Sequence, residues 1–497
     1  MNSFSRLKLL LVFPFISTGF AFEKLNVLFI AVDDLRPELN CYGNDKVHSP
    51  NIDALAALGT LFERAYCQVA VCGASRASLM TGLRPETTRC WNFKTPMREK
   101  NPDALSMPQH FKAQGYQALS IGKIYHAHND DFPQGWSEEP LRGLGKQYAS
   151  PAGIAAQKEA RRVEKETGVR TNGPSIENGG DVSDDIYNDG GVAKAAVARM
   201  QKLAASKEPF FLAVGFSKPH LPFNAPGKYW DLYDRSKINV PSRDKVINGL
   251  PYDGSTWGEL KNYSDISLDA KVLDDAKTRE LIHGYRASVS YMDAQVGRLI
   301  KALDDTGLAK NTVIVLWGDH GYYLGDYGEW CKHTTYEVAA KVPLIISAPG
   351  LPKNQRTKAP TELVDLFPTL CDLTGNPIPE NLQGLSLKRL LNDPAANWKA
   401  GAFSQYFKNK KGTGKVLGTS LRTDRYRYTE WRKNDQKRKS RRHHPHRLPR
   451  RSQQKRRSRS RSRLRPQGTW RTHLEFWYRP QTVGVREKIT VCPSQAI

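Results

Sequence analysis

Two neighbouring carboxylates, Asp33 and Asp34, and a third at Asp319 followed by His320, are the residues of this 497-residue chain best suited to holding a metal. Carboxylate oxygens are hard ligands, and three of them with an imidazole suit Ca²⁺ or Mg²⁺ better than a soft metal. A second set is cationic: Arg76, Lys123, Lys218 and Lys332, joined by His126 and His220. A dication beside several cationic side chains and proton donors fits an oxyanion such as sulfate or phosphate. Taken singly, each Asp reads equally as a helix cap or loop residue, and each His as a hydrogen-bonded loop residue.

The stretch "VAVCGASRASLMTG" (69–82) sets Cys72 and Arg76 in a small-residue turn that runs into an apolar helix. A helix N-terminus and a guanidinium both favour anions, which predicts a reactive cysteine; a packing thiol is the alternative. The chain has seven cysteines, at 41, 67, 72, 90, 331, 371 and 492, and none forms a CxxC pair, so no zinc site is expected. An odd count leaves at least one unpaired, and Cys72 is the candidate.

These residues need a scaffold that gathers them. Four apolar runs end in them: "NVLFIAVDD" at Asp33 and Asp34, "YQALSIGKIYH" at Lys123 and His126, "PFFLAVGFSKPH" at Lys218 and His220, and "NTVIVLWGDHG" at Asp319 and His320. Continuous β-rich runs predict strands buried on both faces of a mostly parallel sheet, whose ligands bind beyond the carboxyl ends of the strands. Helices are expected between them. Ser49 reads as an N-cap with Pro50 at the first helical position. Apolar residues recur at helical spacing from Thr278 to Leu303, with Gly307 as the stop. Residues 138–191 and 224–274 are rich in Gly, Pro and Asp and read as long surface insertions. Tyr322 and Tyr323 are candidates to line a substrate pocket. The segment 416–431 alternates about Thr423-Asp424 and predicts a β-hairpin.

The composition is strongly basic, with a net charge of +25, but the charge is not spread evenly. Residues 432–497 hold 21 Lys/Arg against 3 Asp/Glu, a net +18, which leaves +7 for the rest. The basicity therefore belongs to a tail, and nucleic acid is not expected as the partner of the main body. At the other end, Arg6 and Lys8, the apolar run 9–16 and Gly19-Phe20-Ala21 read as a secretory signal over 1–21, with cleavage near Ala21. Export to the periplasm or the extracellular space follows, and no later segment reads as transmembrane.

"CGASRASLMTG" resembles the signature of the formylglycine-dependent sulfatases, in which a Cys is converted to formylglycine before folding. "VDDLRPELNCYG", "SPNIDALA", "TGLRPETTR", "GKIYH", "SKPHLPF", "GDHGYYLGDYGEWCK", "VPLIISAPG", "ELVDLFPTL" and "SQYF…SLRTDRYRYTEW" follow in the order found in the iduronate-2-sulfatase group and its bacterial relatives. The resemblance spans roughly residues 25 to 431. It implies an α/β fold of the alkaline-phosphatase-like kind, a mostly parallel sheet with helices on both faces, and a small antiparallel C-terminal subdomain that is truncated here. It implies a catalytic domain over 22–407, a remnant hairpin at 416–431 and a basic, Arg/Ser-rich tail at 432–497.

The resemblance also implies roles. Asp33, Asp34, Asp319 and His320, with Cys72 as formylglycine, would bind one Ca²⁺. Arg76 would stabilise the hydrated aldehyde, and Lys123 and His126 would orient its hydroxyls. Lys332 and His220 would hold the sulfate and help protonate the leaving alcohol. The substrate would be a sulfated sugar or polysaccharide, and a formylglycine-generating enzyme would act on the nascent chain. Two readings compete: a phosphoester hydrolase of the same fold with Cys72 unmodified, and a non-catalytic polyanion-binding protein working through its tail.

The sequence departs from the family pattern twice. Ala74 stands where the signature usually has Pro. After Trp431, Arg, Ser, Pro, His and Gln replace the further strands and the acidic segment of the relatives, a composition that predicts disorder. That tail reads as a shifted reading frame, as a basic arm for acidic polymers, or as a passive extension.

Overall fold

The computed structural model describes residues 24–126, 131–206, 208–244, 257–410, 414–433 and 490–493. The signal-like segment 1–21 and most of the basic tail lie outside them. The central sheet has seven strands: β1 (Asn26–Val32), β2 (Thr60–Phe62), β3 (Gln117–Gly122), β4 (Phe210–Phe216), β5 (Thr312–Gly318), β6 (Leu344–Ser347) and β7 (Gln355–Thr357). Their order across the sheet is β7-β2-β6-β5-β1-β4-β3. β1 runs parallel to both β4 and β5, and β3 runs parallel to β4. β6 is antiparallel to β5 and to β2.

The four runs expected to deliver site residues are thus the four adjacent strands β5-β1-β4-β3, all pointing the same way. Their carboxyl ends fall on one edge.

Every residue of β1 is buried, and its alternation feeds two cores. Leu28, Ile30 and Val32 pack on one face with α1 (Pro50–Ala57), α4 (Asn188–Ser206) and α5 (Asp275–Asp305). Val27, Phe29 and Ala31 pack on the other with α2 (Cys72–Thr81), α3 (Met107–Ala113) and α6 (Leu366–Leu373). A strand covered on both faces can be apolar throughout, which is why these runs show no polar alternation.

Several expectations for the helices change in detail. α5 carries the apolar stripe and is stopped by Gly307 at φ 73°. α1 begins at Pro50 after Ser49, but the Ser49 side chain does not cap it. Asp293 of α5 caps it instead, accepting from the Asn51 N–H at 3.1 Å and the Ile52 N–H at 2.7 Å. The insertion 138–191 contains a regular helix, Pro151–Thr167, that buries only Gly153 and Ala160. No described helix is long and apolar enough to cross a membrane.

The C-terminal sheet is larger than the expected hairpin. β8 (Ala402–Lys410), β9 (Gly414–Arg422), β10 (Tyr426–Lys433) and β11 (Thr490–Pro493) form an antiparallel sheet in that order. The turn lies at Thr423-Asp424 as read, with Arg422 opposite Arg427. The boundary placed at residue 407 falls inside β8, because that strand belongs to this sheet. The segment 432–497, expected to carry no strand, supplies the end of β10 and all of β11; residues 434–489 and 494–497 lie outside the described residues.

Two glutamates dock this sheet on the main domain. Glu337 accepts from Arg422 Nε at 3.0 Å, a nitrogen of Arg427 at 2.8 Å and the Tyr66 hydroxyl at 2.9 Å. Buried Glu362 accepts from Arg84 at 2.5 and 2.8 Å, Lys399 Nζ at 2.7 Å and the Phe403 N–H at 3.1 Å. β8 also lies along the chain just before α2: Gln405 N–H donates to the Gln68 carbonyl at 2.7 Å, and Ser404 Oγ to the Cys67 carbonyl at 2.6 Å.

Candidate active site

Asp33 and Asp34 leave the end of β1, and Asp319 and His320 leave the end of its neighbour β5. Asp34 adopts φ 61°, an uncommon conformation for a non-glycine residue, so the turn is held by its surroundings. Its N–H donates to Asp319 Oδ1 at 3.1 Å, and its carbonyl accepts from the Tyr285 hydroxyl at 2.9 Å.

Cys72 is the first residue of α2 and is buried. The helix is fixed to β5 by Ser75 Oγ, which donates to the Asp319 carbonyl at 2.6 Å. Gly73 is required by close packing: a Cβ there would lie 2.8 Å from Phe93 Cα and 3.0 Å from the Asn92 carbonyl. Arg76, one turn on, is fully buried. Its Nε donates to Asp319 Oδ2 at 2.8 Å, and its guanidinium reaches the carbonyls of Lys123 and Ile124 at the end of β3. Arg76 therefore ties together three of the elements that frame the site.

Each of the paired aspartates has its own lysine. Lys123 Nζ bonds Asp33. Lys332 Nζ donates to both oxygens of Asp34, at 2.8 and 3.1 Å. Cys331 and His333 flank Lys332 with φ of 67° and 77°, so local backbone strain is maintained to aim that side chain. Burial pushes Asp33 up, but Lys123, His220 and Arg76 outweigh it and hold this carboxylate well below the usual range. Asp319 is raised, first by burial and then by the charge of Asp33 beside it.

The two histidines nearest the thiol differ. His320 has Nδ1 3.0 Å from the Gly321 carbonyl, which places the proton there and leaves Nε2 with a lone pair that faces the thiol. That Nε2 is 3.3 Å from Cys72 Sγ and 3.4 Å from Asp34 Oδ1. His220 instead turns Nδ1 to the Leu221 carbonyl at 2.6 Å and Nε2 to Glu259 Oε1 at 2.7 Å. His126 lies beside Phe93, ring centres 5.3 Å apart; burial, followed by Lys123, pushes it down to about 3, so it is neutral.

Asp33, Cys72, Asp319 and His320 present donor atoms all within 4.8 Å of one another, and so do Asp33, Asp34, Cys72 and His220. Asp33 Oδ1 is buried and accepts no hydrogen bond. A buried carboxylate oxygen that accepts no hydrogen bond, with the Arg76 guanidinium 3.7 Å away, set among two further carboxylates and an imidazole lone pair, fits a hard divalent cation. His220 is not offered to it, because its Nε2 faces Glu259.

Three readings from the sequence need correction. Cys72 is not an activated thiolate: burial raises the thiol well above its ordinary value and Asp33 adds to this, while Arg76 is spent on Asp319. Lys218 faces away, donating to the carbonyls of His220 and Pro222, and so stiffens the turn that carries His220. Tyr322 and Tyr323 are fully buried. Tyr322 lies beneath Lys332 Nζ, 5.8 Å from the ring centre, and Tyr323 bonds Thr334 at 2.8 Å, so both support the site from behind. Cys41, Cys67, Cys72, Cys90, Cys331 and Cys371 are free thiols.

Sequence reasoning missed Glu259. It reaches the site from the 224–274 insertion, with Oε1 on His220 and Oε2 2.8 Å from Lys332 Nζ. No spacing announces it, since it lies in a Gly-, Pro- and Asp-rich stretch of sequence with no period to read. It missed also that β8 walls the site: Tyr406 packs beside Val69, Val71 and Ala74, and against His333.

Comparison with known proteins bears on this arrangement. The family model described as Sulfatase matches residues 25–376, and one described as N-sulphoglucosamine sulphohydrolase, C-terminal, matches residues 325–448. The iduronate 2-sulfatase of Mus musculus is 34% identical over 478 residues, covering 83% of this chain and 85% of its own. A sulfatase of Formosa agariphila is 33% identical, covering 82% and 79%. The solved phosphonate monoester hydrolase from Silicibacter pomeroyi superposes with a TM-score of 0.62 at 26% identity, covering 82% of this chain and 87% of its own.

Proposed function

The chain belongs to the sulfatase family and is a sulfuric ester hydrolase, and from that premise we propose that it removes sulfate from a sulfated carbohydrate, in the manner of the iduronate 2-sulfatases, with a formylglycine made from Cys72 and a bound Ca²⁺. The observation that carries this reading is the convergence of Asp33, Asp319, His320 and Cys72 within 4.8 Å of one another, at a strand edge ringed by Arg76, Lys123 and Lys332.

When present, the hydrated aldehyde supplies a hydroxyl nucleophile and the cation lowers the cost of its negative charge. Asp33, Asp34, Asp319 and His320 would hold the cation. The protein's own groups do the remaining work. Arg76, fixed by Asp319 and two carbonyls, is a rigid positive charge beneath residue 72. Lys123 is paired with Asp33, and neutral His126 can accept a hydrogen bond from a hydroxyl. Lys332 supplies an ammonium beside Asp34, where the sulfate oxygens would lie. His220 stands next to it, suited to giving a proton to the departing sugar oxygen. The half-exposed rim residues Trp91, Phe93 and Tyr406 would meet the sugar.

A secretory segment at 1–21, as read from the sequence, would put this activity outside the cytoplasm. The likeness to a phosphonate monoester hydrolase favours phosphoester cleavage as the second reading, should Cys72 stay a thiol.

The test is mass spectrometry of the tryptic peptide 65–76 from protein made in its native host. Formylglycine at position 72, with sulfate release from 2-O-sulfated uronate oligosaccharides that Cys72→Ala abolishes, is the expected result. A wholly unmodified thiol in protein that still cleaves phosphoesters would replace the reading with the second.

A further inference from the structure

Among the described residues, Glu259 is the carboxylate at the site for which the sulfate-cleaving reading supplies no role. It stands ahead of a single 3-10 turn (Leu260–Asn262), anchored by the buried side chains of Trp257 and Leu260. Its two oxygens are divided: Oε1 is 2.7 Å from His220 Nε2, and Oε2 is 2.8 Å from Lys332 Nζ. The other nitrogen of His220, Nδ1, is 2.6 Å from the Leu221 carbonyl. Carbonyl and carboxylate oxygens only accept, and a bare ring nitrogen at these separations would set two lone pairs against each other. Short contacts on both nitrogens therefore require a proton on each.

The charges around the ring agree. Besides Glu259, the charged groups acting on the ring are Asp34, Asp33 and Lys123, and Glu259 is the one whose oxygen lies 2.7 Å from Nε2. Burial opposes charge on Glu259, and Lys332 with His220 reverses that, keeping it ionised. Glu259 is thus an acceptor and not itself a proton donor.

We propose that Glu259 is a positioning residue that holds His220 as the doubly protonated ring from which the leaving alcohol takes its proton. The proposal rests on the sulfatase reading of the same site. As the bond between sulfur and the sugar oxygen breaks in favour of the incoming nucleophile, its electron pair stays on the sugar oxygen, and the Nε2 proton, turned to Glu259 in the free site, passes to that oxygen. The proton on Nδ1 remains with the Leu221 carbonyl, so the ring is left neutral. Nε2 then regains a proton from water, with the Glu259 carboxylate facing it. Glu259 also links this donor to Lys332, so the group that would hold the sulfate and the group that protonates the alcohol share one anchor.

Two measurements on the full, metal-loaded chain test this. Glu259→Gln keeps the shape and removes the charge. It is expected to lower kcat on a sugar sulfate at least about tenfold more than on 4-nitrophenyl sulfate, whose phenolate leaves with little need of a proton. Equal losses on both substrates, or no loss, overturn the proposal. Nitrogen-15 NMR of histidine-labelled protein at about pH 8, where an ordinary histidine (pKa ~6.5) is neutral, reads the ring directly, with His220→Gln assigning the signals. Two protonated nitrogens in the wild type and one in Glu259→Gln support it, and a neutral His220 in the wild type overturns it. Wild-type protein that cleaves neither sulfate defeats the sulfatase reading, while the NMR result still decides the Glu259–His220 relationship.

Discussion

Arg76 donates through Nε to Asp319 Oδ2 at 2.8 Å, and neither side chain is exposed. This bond joins the helix that begins at Cys72 to the strand end that carries the metal-type carboxylates. A buried charge that loses its partner is costly, about 3–5 kcal/mol. Arg76→Ala is expected to lose about that much stability in denaturant titration and to lose activity entirely. A variant as stable as the wild type would show that Arg76 does not hold the two elements together.

Removal of the cation gives a second prediction. Three carboxylates and an imidazole lone pair should bind Ca²⁺ in the folded state alone. At one hundred times its Kd, the ion then adds about 2.7 kcal/mol of stability. Thermal unfolding with Ca²⁺ and with EGTA should differ accordingly, and Asp33→Asn or Asp319→Asn should erase the difference. An unfolding midpoint indifferent to chelator in the wild type would contradict the assigned donor set.

Gly73 is the tightest position at the helix start. Gly73→Ala pushes a methyl group against backbone at 2.8 Å, which cannot rotate away. The 91–93 segment or the helix must shift, at a cost of about 1–3 kcal/mol. Because residue 72 is next in the chain, activity should fall by more than stability alone explains. Melting curves and kcat measured on the same sample give the comparison, and an active, unshifted variant would refute it.

The docking of the C-terminal sheet should respond to acid. Burial pushes Glu337 up, but Arg427 and Arg422 pull harder and bring it down to about 2. Its folded value therefore lies below its unfolded one, so its contribution is complete above about pH 4.5 and is lost as pH falls through about 2. The side chain is 35% exposed, which limits the contribution to about 1 kcal/mol. Hydrogen exchange in β9 and β10 should quicken over that interval, and Glu337→Gln should flatten the response. Exchange that is equally pH-dependent in the variant would rule Glu337 out.

How legible all this was in the sequence depends on range. Asp33, Lys123, His220 and Asp319 follow strands whose apolar runs declare themselves, and parallel packing then brings their ends together. The resemblance identified Cys72 and Arg76 within a segment that is itself short and contiguous. Where contact is made by distant chain, local pattern fails. Ser49 has the composition of a cap, yet Asp293, more than two hundred residues on, does the capping. Glu259 lies in a Gly-, Pro- and Asp-rich stretch of sequence with no period to read. β8 was invisible for a further reason: "AFSQYFKNK" has no clean alternation, because Ser404 and Gln405 are buried through hydrogen bonds, Ser404 to the Cys67 carbonyl and Gln405 to Glu86 and Thr419, and not through apolar contact.

The way β8 lies along Cys67 and Gln68 imposes an order in time. Those residues precede Cys72 by only a few positions, while β8 begins at Ala402, more than three hundred residues later. In the finished molecule Cys72 is 4% exposed, and that strand covers the segment just before it. Any enzyme that oxidises Cys72 must therefore finish while the chain is still emerging or unfolded, and the C-terminal sheet is the door that shuts behind it. A change that slows the closing of that door, such as loss of the Glu362–Arg84 pair, lengthens the interval for modification even as it weakens the fold.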